Sequence, residues 1–369
     1  MNDPDFMSIR IRPELRAAQV KRASGMVPAL TLYFDEKYDL GKTPVPDTFR
    51  KVTIFQCLQV IARSNSQILE VPEPLWLRFA PKNFLILAIW KLSGLFRFRR
   101  RTAVTYAIEN NDFKSLLSPQ TRVHPMIERT LRIVAGAAIS LVIDRIAFGS
   151  SASMKLYHSL AGLDRVEQRL IEELPARSSD IRERVYGKKA IFVGELDDRK
   201  GILNLMAAWP AVEASVPGAL LNVVGNGGHS KAVEAWCRER PESRVFCGLL
   251  AHDETAARIS EADVLIAPSR RFGRWREQIG LPIVEALSMG LTVVTTDETG
   301  LATWLLEQGH SVIPEANVEQ QLAVAIIQAV ESPLNREEVR QSLPLIPGRI
   351  SADSWLHTGY LQETPEDMK

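Results

Sequence analysis

From Ala190 onward, short apolar runs alternate with longer segments whose apolar residues recur at helical spacing. The short runs are continuous and rich in β-branched residues, which is typical of strands buried on both faces. Such strands separated by helices predict a parallel sheet in a doubly wound α/β domain. Its strands are expected at 190–194, 219–225, 245–248, 263–269, 292–296 and 311–313, with helices at 202–214, up to about 239, and at 252–262, 281–290, 301–309 and 318–332.

The first half has a weaker pattern. Its apolar runs predict strands at 26–34, 67–71, 102–108 and 140–149, and helices near 51–63, 79–95 and 122–138. They indicate a second, smaller α/β domain. We expect domains at 1–186 and 187–345, followed by a segment at 346–369. That last segment passes a Pro-Gly turn, restarts a helix near Ser351, and is expected to return to the N-terminal domain.

Composition agrees with a folded protein of about two domains. The chain has 369 residues, of which 46% are apolar and 24% charged, and these values exclude disordered and collagenous classes. The net charge is only +1, but residues 1–188 hold 29 Lys and Arg against 19 Asp and Glu, while residues 189–369 hold 16 against 25. This difference either reflects two domains with different partners or carries no function.

Three widely spaced cysteines, Cys57, Cys237 and Cys247, form neither a disulfide framework nor a zinc pattern, which favours a cytoplasmic protein. The first residues include no apolar run typical of a secretory signal. The longest apolar run, at 84–90, is far shorter than the roughly 20 residues of a membrane span. A lone D-x-D sequence at Asp3 and Asp5 lies close to the terminus, and we expect no metal site.

In open α/β sheets, ligands bind at the loops that follow the strands. The loop GELDDRKG, 194–201, places Arg199 and Lys200 directly before a predicted helix, where amides and the helix dipole favour an anion such as phosphate. A polar turn explains the same residues. The next strand is followed by GNGG, 225–228, whose glycines allow close approach to a ligand or simply a tight turn.

The segment EQIGLPIVE carries two carboxylates, Glu277 and Glu285, around a predicted helix start at Gly280. Carboxylates accept hydrogen bonds from hydroxyls, and the first-turn amides bind negative oxygens. The combination suits a nucleotide sugar, which has hydroxyls at both ends and a diphosphate between them. A solvated helix face is the alternative. The loop TTDETGLA, 295–302, either shapes the sugar pocket or turns the chain.

In order and spacing, these segments resemble the C-terminal domain of retaining glycosyltransferases of family 4, glycosyl transferases group 1. The resemblance implies a GT-B fold of two facing Rossmann-like domains, here with a reduced N-terminal one. It implies metal-independent, retaining transfer of a sugar, with no cofactor, from a nucleotide-sugar donor to a glycan, lipid-linked or small-molecule acceptor. A non-catalytic GT-B scaffold or regulator that binds a nucleotide sugar or a partner glycosyltransferase is the alternative.

The resemblance also assigns roles by position. Lys200 would neutralise the diphosphate and Glu277 would hold hydroxyls of the transferred sugar, so that both are catalytic candidates, while Glu285 would bind the ribose. The other candidates would line the donor pocket, some through their backbone amides, some in close turns and some beside the base. They are Gly194, Arg199, Gly225, Asn226, Val245, Phe246, Ile279, Gly280 and Leu281.

Three departures from the family pattern concern the charge of the donor site and the N-terminal half. Glu195 stands where an arginine is usual, and we expect Arg199 to compensate for it. The N-terminal half shows no clear glycine-rich loop before Gln67. After the predicted strand at 102–108, Glu109 and Asn110 stand in the loop where the family often has a histidine, and both are acceptor-side candidates.

Residues 78–101 contain seven Arg and Lys and no acid, interleaved with large apolar residues. A basic amphipathic helix of this kind suits an anionic membrane surface, which would make the protein peripheral at the inner face of the membrane. Alternatively, its apolar residues face the core and Arg97 to Arg101 cap the helix end. No recognition motif accompanies the charge, so nucleic acid is not an expected partner.

Overall fold

A computed structural model describes residues 6–41, 43–117, 124–177 and 187–360. The chain divides into two compact units, one of residues 1–172 with 348–369, the other of residues 173–347. The boundary expected at 186/187 adjoins residues 178–186, which lie outside the described residues. Residues just before them already belong to the second unit, because the backbone N–H of Arg177 donates to the carbonyl of Pro344 at 2.8 Å.

In the first unit, the described residues form a seven-stranded sheet of order β3-β2-β1-β4-β5-β6-β7, with every pair parallel. Its strands are β1 Ser8–Leu15, β2 Leu30–Glu36, β3 Phe49–Lys51, β4 Ile68–Val71, β5 Thr102–Ala107, β6 Arg145–Phe148 and β7 Glu167–Leu170. Its helices are α1 Ala17–Arg22, α2 Ile54–Arg63, α3 Ala80–Phe96, α4 Phe113–Leu117, α5 Pro125–Val142 and α6 Ser151–His158.

The expectation of a reduced N-terminal domain is wrong, because this sheet has one strand more than the sheet of the second unit among the described residues. Three of its strands, β1, β3 and β7, were not predicted. The longest of them, β1, alternates fully buried Ile9 and Ile11 with Arg10 and Arg12. An arginine in a central strand does not follow the apolar pattern on which the sequence prediction relied. The predicted strand at 140–149 also begins too early, since α5 continues to Val142.

The second unit contains a six-stranded parallel sheet within the described residues, of order β10-β9-β8-β11-β12-β13. The predicted α/β class is confirmed. The strands are β8 Lys189–Val193, β9 Leu220–Val224, β10 Arg244–Gly248, β11 Val264–Ala267, β12 Thr292–Thr296 and β13 Ser311–Ile313. The helices are α7 Ile202–Ser215, α8 Ser230–Glu239, α9 His252–Ser260, α10 Leu281–Ser288, α11 Ala302–Glu307, α12 Val318–Glu331 and α13 Arg336–Gln341.

The last described helix, α14 (Gly348–Thr358), lies in the first unit although it follows the second in sequence. Its buried Ala352, Trp355 and Leu356 pack against Val104 of β5 and Ala147 of β6. The helix thereby covers one face of the N-terminal sheet. In the described part of the chain, none of the helices combines the length and the apolarity that crossing a bilayer needs.

Candidate donor site

The candidate donor site lies in the second unit, where the loops after β8, β9, β11 and β12 converge at the carboxyl edge of the sheet. Ligands of open parallel sheets bind at this edge. The loop after β8 ends in a short turn in which the Asp197 carboxylate accepts from the Lys200 amide at 3.1 Å. Gly201 follows with φ +72°, and a Cβ there would lie 2.0 Å from the carbonyl oxygen of Pro268. Glycine is therefore required where Lys200 enters the site.

Lys200 forms an ion pair with Glu277, which stands 77 positions later in the chain, in the loop before α10. Both side chains are mostly buried, with 19% and 14% of their surface exposed. The Ser269 hydroxyl, at the end of β11, donates to the same carboxylate oxygen at 3.2 Å. Both predicted catalytic residues are thus in direct contact, and Ser269 is a further member of the site that the sequence analysis did not identify.

Trp275 packs against the cations of this site. Its indole ring lies 5.0 Å from the Lys200 ammonium and 4.5 Å from the Arg199 guanidinium, which are cation–π distances. A small turn brings the ring there, since Phe272 and Trp275 exchange backbone hydrogen bonds of 3.2 and 2.9 Å around Gly273. The sequence analysis did not identify Trp275, because no local pattern indicates this contact.

Glu195 has an ion-pair partner, which it shares with a second carboxylate. Its carboxylate pairs with Arg199, whose Nε also lies 2.7 Å from the Asp197 carboxylate. The side chain of Glu195 is 56% exposed, so solvent screens its charge further. A carboxylate at position 195 would repel a diphosphate, and Arg199 offsets part of that repulsion.

The two glycine turns bring backbones into close approach. Gly225 has φ +144°, and a Cβ there would lie 1.8 Å from the carbonyl oxygen of Gly194. The Asn226 side-chain oxygen accepts from the Gly227 amide at 2.9 Å and from the Ser230 hydroxyl at 2.6 Å. The Asn226 side chain therefore stabilises the turn before α8, and the glycines allow the two loops to pack.

At the start of α10, Gly280 adopts φ +84°. The Thr299 hydroxyl donates to the Ile279 carbonyl at 3.1 Å, and the Gly300 amide donates to the Gln278 carbonyl at 2.9 Å. The loop after β12 thus donates hydrogen bonds to carbonyl oxygens of the segment before α10. The backbone amides of residues 279–281 have no acceptor among the described residues. Three successive amides at a helix start attract negative oxygen.

Glu285 lies one turn into α10, with 28% of its side chain exposed. Burial raises its pKa above the ordinary value, and nearby His252 opposes this shift. The His252 Nδ1 atom lies 3.7 Å from the Glu285 carboxylate. Val245 and Phe246 are half-buried within β10, so that the loop expected beside the base begins only after Gly248.

The acceptor-side candidates, Glu109 and Asn110, follow β5 in the first unit. The Glu109 carboxylate accepts from the backbone and side-chain amides of Asn111 at 3.0 and 2.8 Å, and Asn110 is buried. Beneath them, the Glu73 carboxylate accepts from the backbone amides of Ile108 and Glu109 at 3.3 and 3.1 Å. Burial, together with Glu109, raises the pKa of Glu73 to about 8.

The family match lies within the second unit. The family described as Glycosyl transferases group 1 matches residues 187–332. The chain is 28% identical over 198 residues to a GDP-mannose-dependent alpha-(1-6)-phosphatidylinositol monomannoside mannosyltransferase of Mycobacterium tuberculosis, with 50% of each chain covered. The chain spans about a third to a half of the length of the curated relatives it matches.

Solved structures align over both units. The lipopolysaccharide outer core galactosyltransferase WaaB aligns with a TM-score of 0.60 at 10% identity, over 91% of this chain and 94% of that one. Anabaena Alr3699/HepE, in complex with UDP, aligns with a TM-score of 0.59 at 14% identity, over 95% and 96%. The chain has the GT-B fold. In this GT-B chain, the matched family segment contains every donor-site candidate of the second unit.

Proposed function

We propose that the chain is a glycosyltransferase that moves a sugar from a nucleotide-sugar donor to a glycan, lipid-linked or small-molecule acceptor. The observation that carries the proposal is the contact between Lys200 and Glu277 beside the amides at the start of α10. In a bound donor, the Lys200 ammonium would contact a phosphate, the Glu277 carboxylate would contact a sugar hydroxyl, and the amides would bind negative phosphate oxygens.

In this proposal, the pocket stabilises the departing nucleoside diphosphate. Breaking the bond between the sugar and the diphosphate leaves negative charge on the phosphate oxygens, and the Lys200 ammonium and the amides of 279–281 would stabilise that charge. Such groups are effective because they are held in place before the reaction. They would also supply the positive charge that a metal ion provides elsewhere, so that we propose a metal-independent reaction without a cofactor.

Glu277 has two roles in the proposed site. Its carboxylate orients the Lys200 ammonium through the ion pair, and its oxygens would accept hydrogen bonds from hydroxyls of the transferred sugar. Glu285, further along α10, would accept from the ribose. We propose retention of the anomeric configuration, as the family 4 resemblance implies, with the diphosphate receiving the proton of the acceptor hydroxyl.

The scaffold alternative drew its support from Glu195 and from a reduced N-terminal domain. The ion pair with Arg199 offsets part of the charge of Glu195, and the first unit forms a seven-stranded parallel sheet in its described residues. We therefore favour the enzyme. We further propose that the reaction takes place on the cytoplasmic side of a membrane, with an anionic lipid surface near residues 78–101.

The test is a thermal-shift screen against UDP, GDP, dTDP, ADP and CDP and their sugars, followed by a donor-hydrolysis assay. We expect one nucleotide to raise the melting temperature, since a ligand that binds the native state stabilises it. Lys200→Ala is expected to abolish hydrolysis and weaken diphosphate binding, whereas Lys231→Ala, on the exposed face of α8, is the matched control. Stabilisation by no nucleotide would refute the donor site, and binding without hydrolysis or transfer would favour the scaffold.

A further inference from the structure

The outer face of α5 is apolar and exposed along its whole length. Within the helix, Gly136 and Ile139 are buried, and a Cβ at Gly136 would lie 1.9 Å from the carbonyl oxygen of Ala161. This contact fixes which face packs inward. The outward and flanking positions carry six large apolar side chains that are 37–80% exposed: Met126, Ile127, Leu131, Ile133, Val134 and Leu141. An apolar patch of this kind on a folded protein marks an interaction surface.

The end of α3 adds aromatic side chains and positive charge beside it. Phe96 is 79% exposed and Phe98 is 97% exposed, within the sequence FRFRRR. The Lys91 ammonium joins the two helix ends, because it donates to the Asp144 carboxylate at 2.5 Å and to the Arg101 carbonyl at 3.2 Å. The turn after α3 and the turn after α5 therefore lie side by side.

Phe98 is held in a costly conformation. Its φ is +49°, in the left-handed region that bulky side chains rarely occupy. A folded protein gains nothing from placing a strained phenylalanine almost fully in water. Such an outlier suggests a function outside the fold itself.

The apolar side chains within the segment 78–101 form two groups, one buried in the core and one exposed at the end of α3. Ile86, Leu87 and Trp90 are fully buried in the core, and Arg97 donates to the carbonyls of Arg63 and Ser64 at the end of α2. The helix α3 is therefore chiefly a core helix. Its exposed end, and the face of α5 that the sequence analysis did not single out, remain as the outward surface.

We propose that the exposed face of α5 and the turn at 96–100 together form a docking surface for an anionic lipid bilayer. Charge selects this occupant. Arg97, Arg99 and Arg100 in the turn are exposed, residues 78–101 contain no acid, and the Glu128 carboxylate on α5 is paired with Arg132 at 2.6 Å. Apolar side chains enter the acyl boundary while arginines meet phosphate headgroups, which is how interfacial segments bind anionic membranes. This inference deepens the lipid contact of the proposed function, and because the surface belongs to the first unit and the candidate donor site to the second, each can be tested alone.

The test is flotation of the full chain with phosphatidylcholine vesicles, with or without phosphatidylglycerol. We expect binding to the anionic vesicles that weakens as salt rises. The triple variant Met126→Ser, Val134→Ser, Leu141→Ser is expected to bind roughly tenfold more weakly, and Arg99→Gln with Arg100→Gln to lose most of the preference for anionic lipid. The matched control is Leu306→Ser with Val324→Ser, two equally exposed apolar residues of the second unit.

Phe98→Gly separates lipid binding from folding. Glycine adopts the positive φ without strain, so the variant is expected to keep or raise the melting temperature while binding anionic vesicles more weakly. All surface variants should keep the nucleotide-induced shift of the wild type, whatever that shift is. The proposal is overturned if the wild type remains in solution with anionic vesicles at low salt, or if the triple variant binds as the wild type does. It is also overturned if sedimentation shows a dimer that the triple variant dissociates, because the face would then be covered by a second copy.

Discussion

At the scale of single residues, Trp275 determines how the cations of the donor site are held. Its ring lies 5.0 Å from the Lys200 ammonium. The ring attracts this cation without adding a negative charge to the site, as a carboxylate would. We predict that Trp275→Leu weakens nucleoside diphosphate binding by roughly fivefold, as expected for a cation–π contact of about 1 kcal/mol, while Trp275→Phe retains most of it. Calorimetric titration measures both. Binding of the matching nucleoside without phosphates should not change, and an equal loss for both ligands would show that the variant only disturbs the fold.

Gly201 combines a left-handed φ with a close backbone approach. Gly218 offers a matched control, because its φ is +83° but nothing lies within 4 Å of a Cβ built there. Gly218→Ala should cost about 1 kcal/mol of unfolding free energy from the φ alone. Gly201→Ala is expected to cost at least twice that amount, because the Pro268 carbonyl must also move. Urea denaturation of the two variants tests this, and equal losses would contradict it.

Because Glu73 is buried, we predict that folding stability falls as pH rises, whereas an ordinary paired carboxylate makes stability rise with pH. The pKa of Glu73 in the folded chain is about 8, raised by burial and by Glu109, so the folded state holds a proton that the unfolded state releases above its ordinary value. Stability is therefore lost as pH rises from about 4.5 toward 8. Glu73→Gln should remove that loss, and its advantage in unfolding free energy over the wild type should grow by about 3 kcal/mol between pH 5 and pH 8. A constant difference across this range, measured by denaturation at each pH, would exclude the effect.

At the scale of elements, a buried ionic network joins α14 to β1 and β4. The Arg10 guanidinium lies 2.6 Å from both the Glu70 and the Asp353 carboxylates, and Arg349 of α14 lies 2.6 Å from Glu70. Glu70, Asp353 and His357 are close enough to hold a metal ion, but the arginines already neutralise both carboxylates. We therefore interpret the cluster as a structural ion network.

Breaking this network should loosen α14. Asp353→Asn leaves Arg10 with one partner fewer in a buried position, which typically costs about 3 kcal/mol. Burial alone would raise the pKa of Glu70, but Arg12, Arg349 and Arg10 hold it well below its usual value. The stability from this group is complete above about pH 4.5 and is lost as pH falls below it. Hydrogen exchange of α14 measures the effect of the mutation and the effect of pH. Unchanged protection in Asp353→Asn would refute the first, and unchanged protection of the wild type below pH 4.5 would refute the second.

The elements also show what could be predicted from the sequence. Strands of the second unit were predictable because each is a continuous apolar run bounded by turn residues, as in Thr292–Thr296. The strand β1 was not, because its arginines are buried only through Glu70 and Asp353, which stand 60 and 343 positions away. In the site, Lys200 and Glu277 were found through a family pattern. Trp275 and Ser269 were not, since their contacts arise from loops whose paths no local pattern specifies.

At the scale of the whole molecule, the chain returns to its first unit after completing the second. Truncation after residue 345 would remove α14 and expose Val104 and Ala147, while Arg10 would lose Asp353 and Glu70 would lose Arg349. No residue of the donor site lies in the removed segment. We therefore predict that the truncated protein melts in two steps, with the first unit unfolding at least 10 °C earlier, roughly the effect of losing several kcal/mol. The nucleotide that stabilises the full chain should still raise the later step, since its site lies within residues 173–347. Calorimetry with and without nucleotide distinguishes the outcomes: an unchanged midpoint would show that α14 does not stabilise the first unit, and loss of the nucleotide effect would show that the donor site needs more than the second unit.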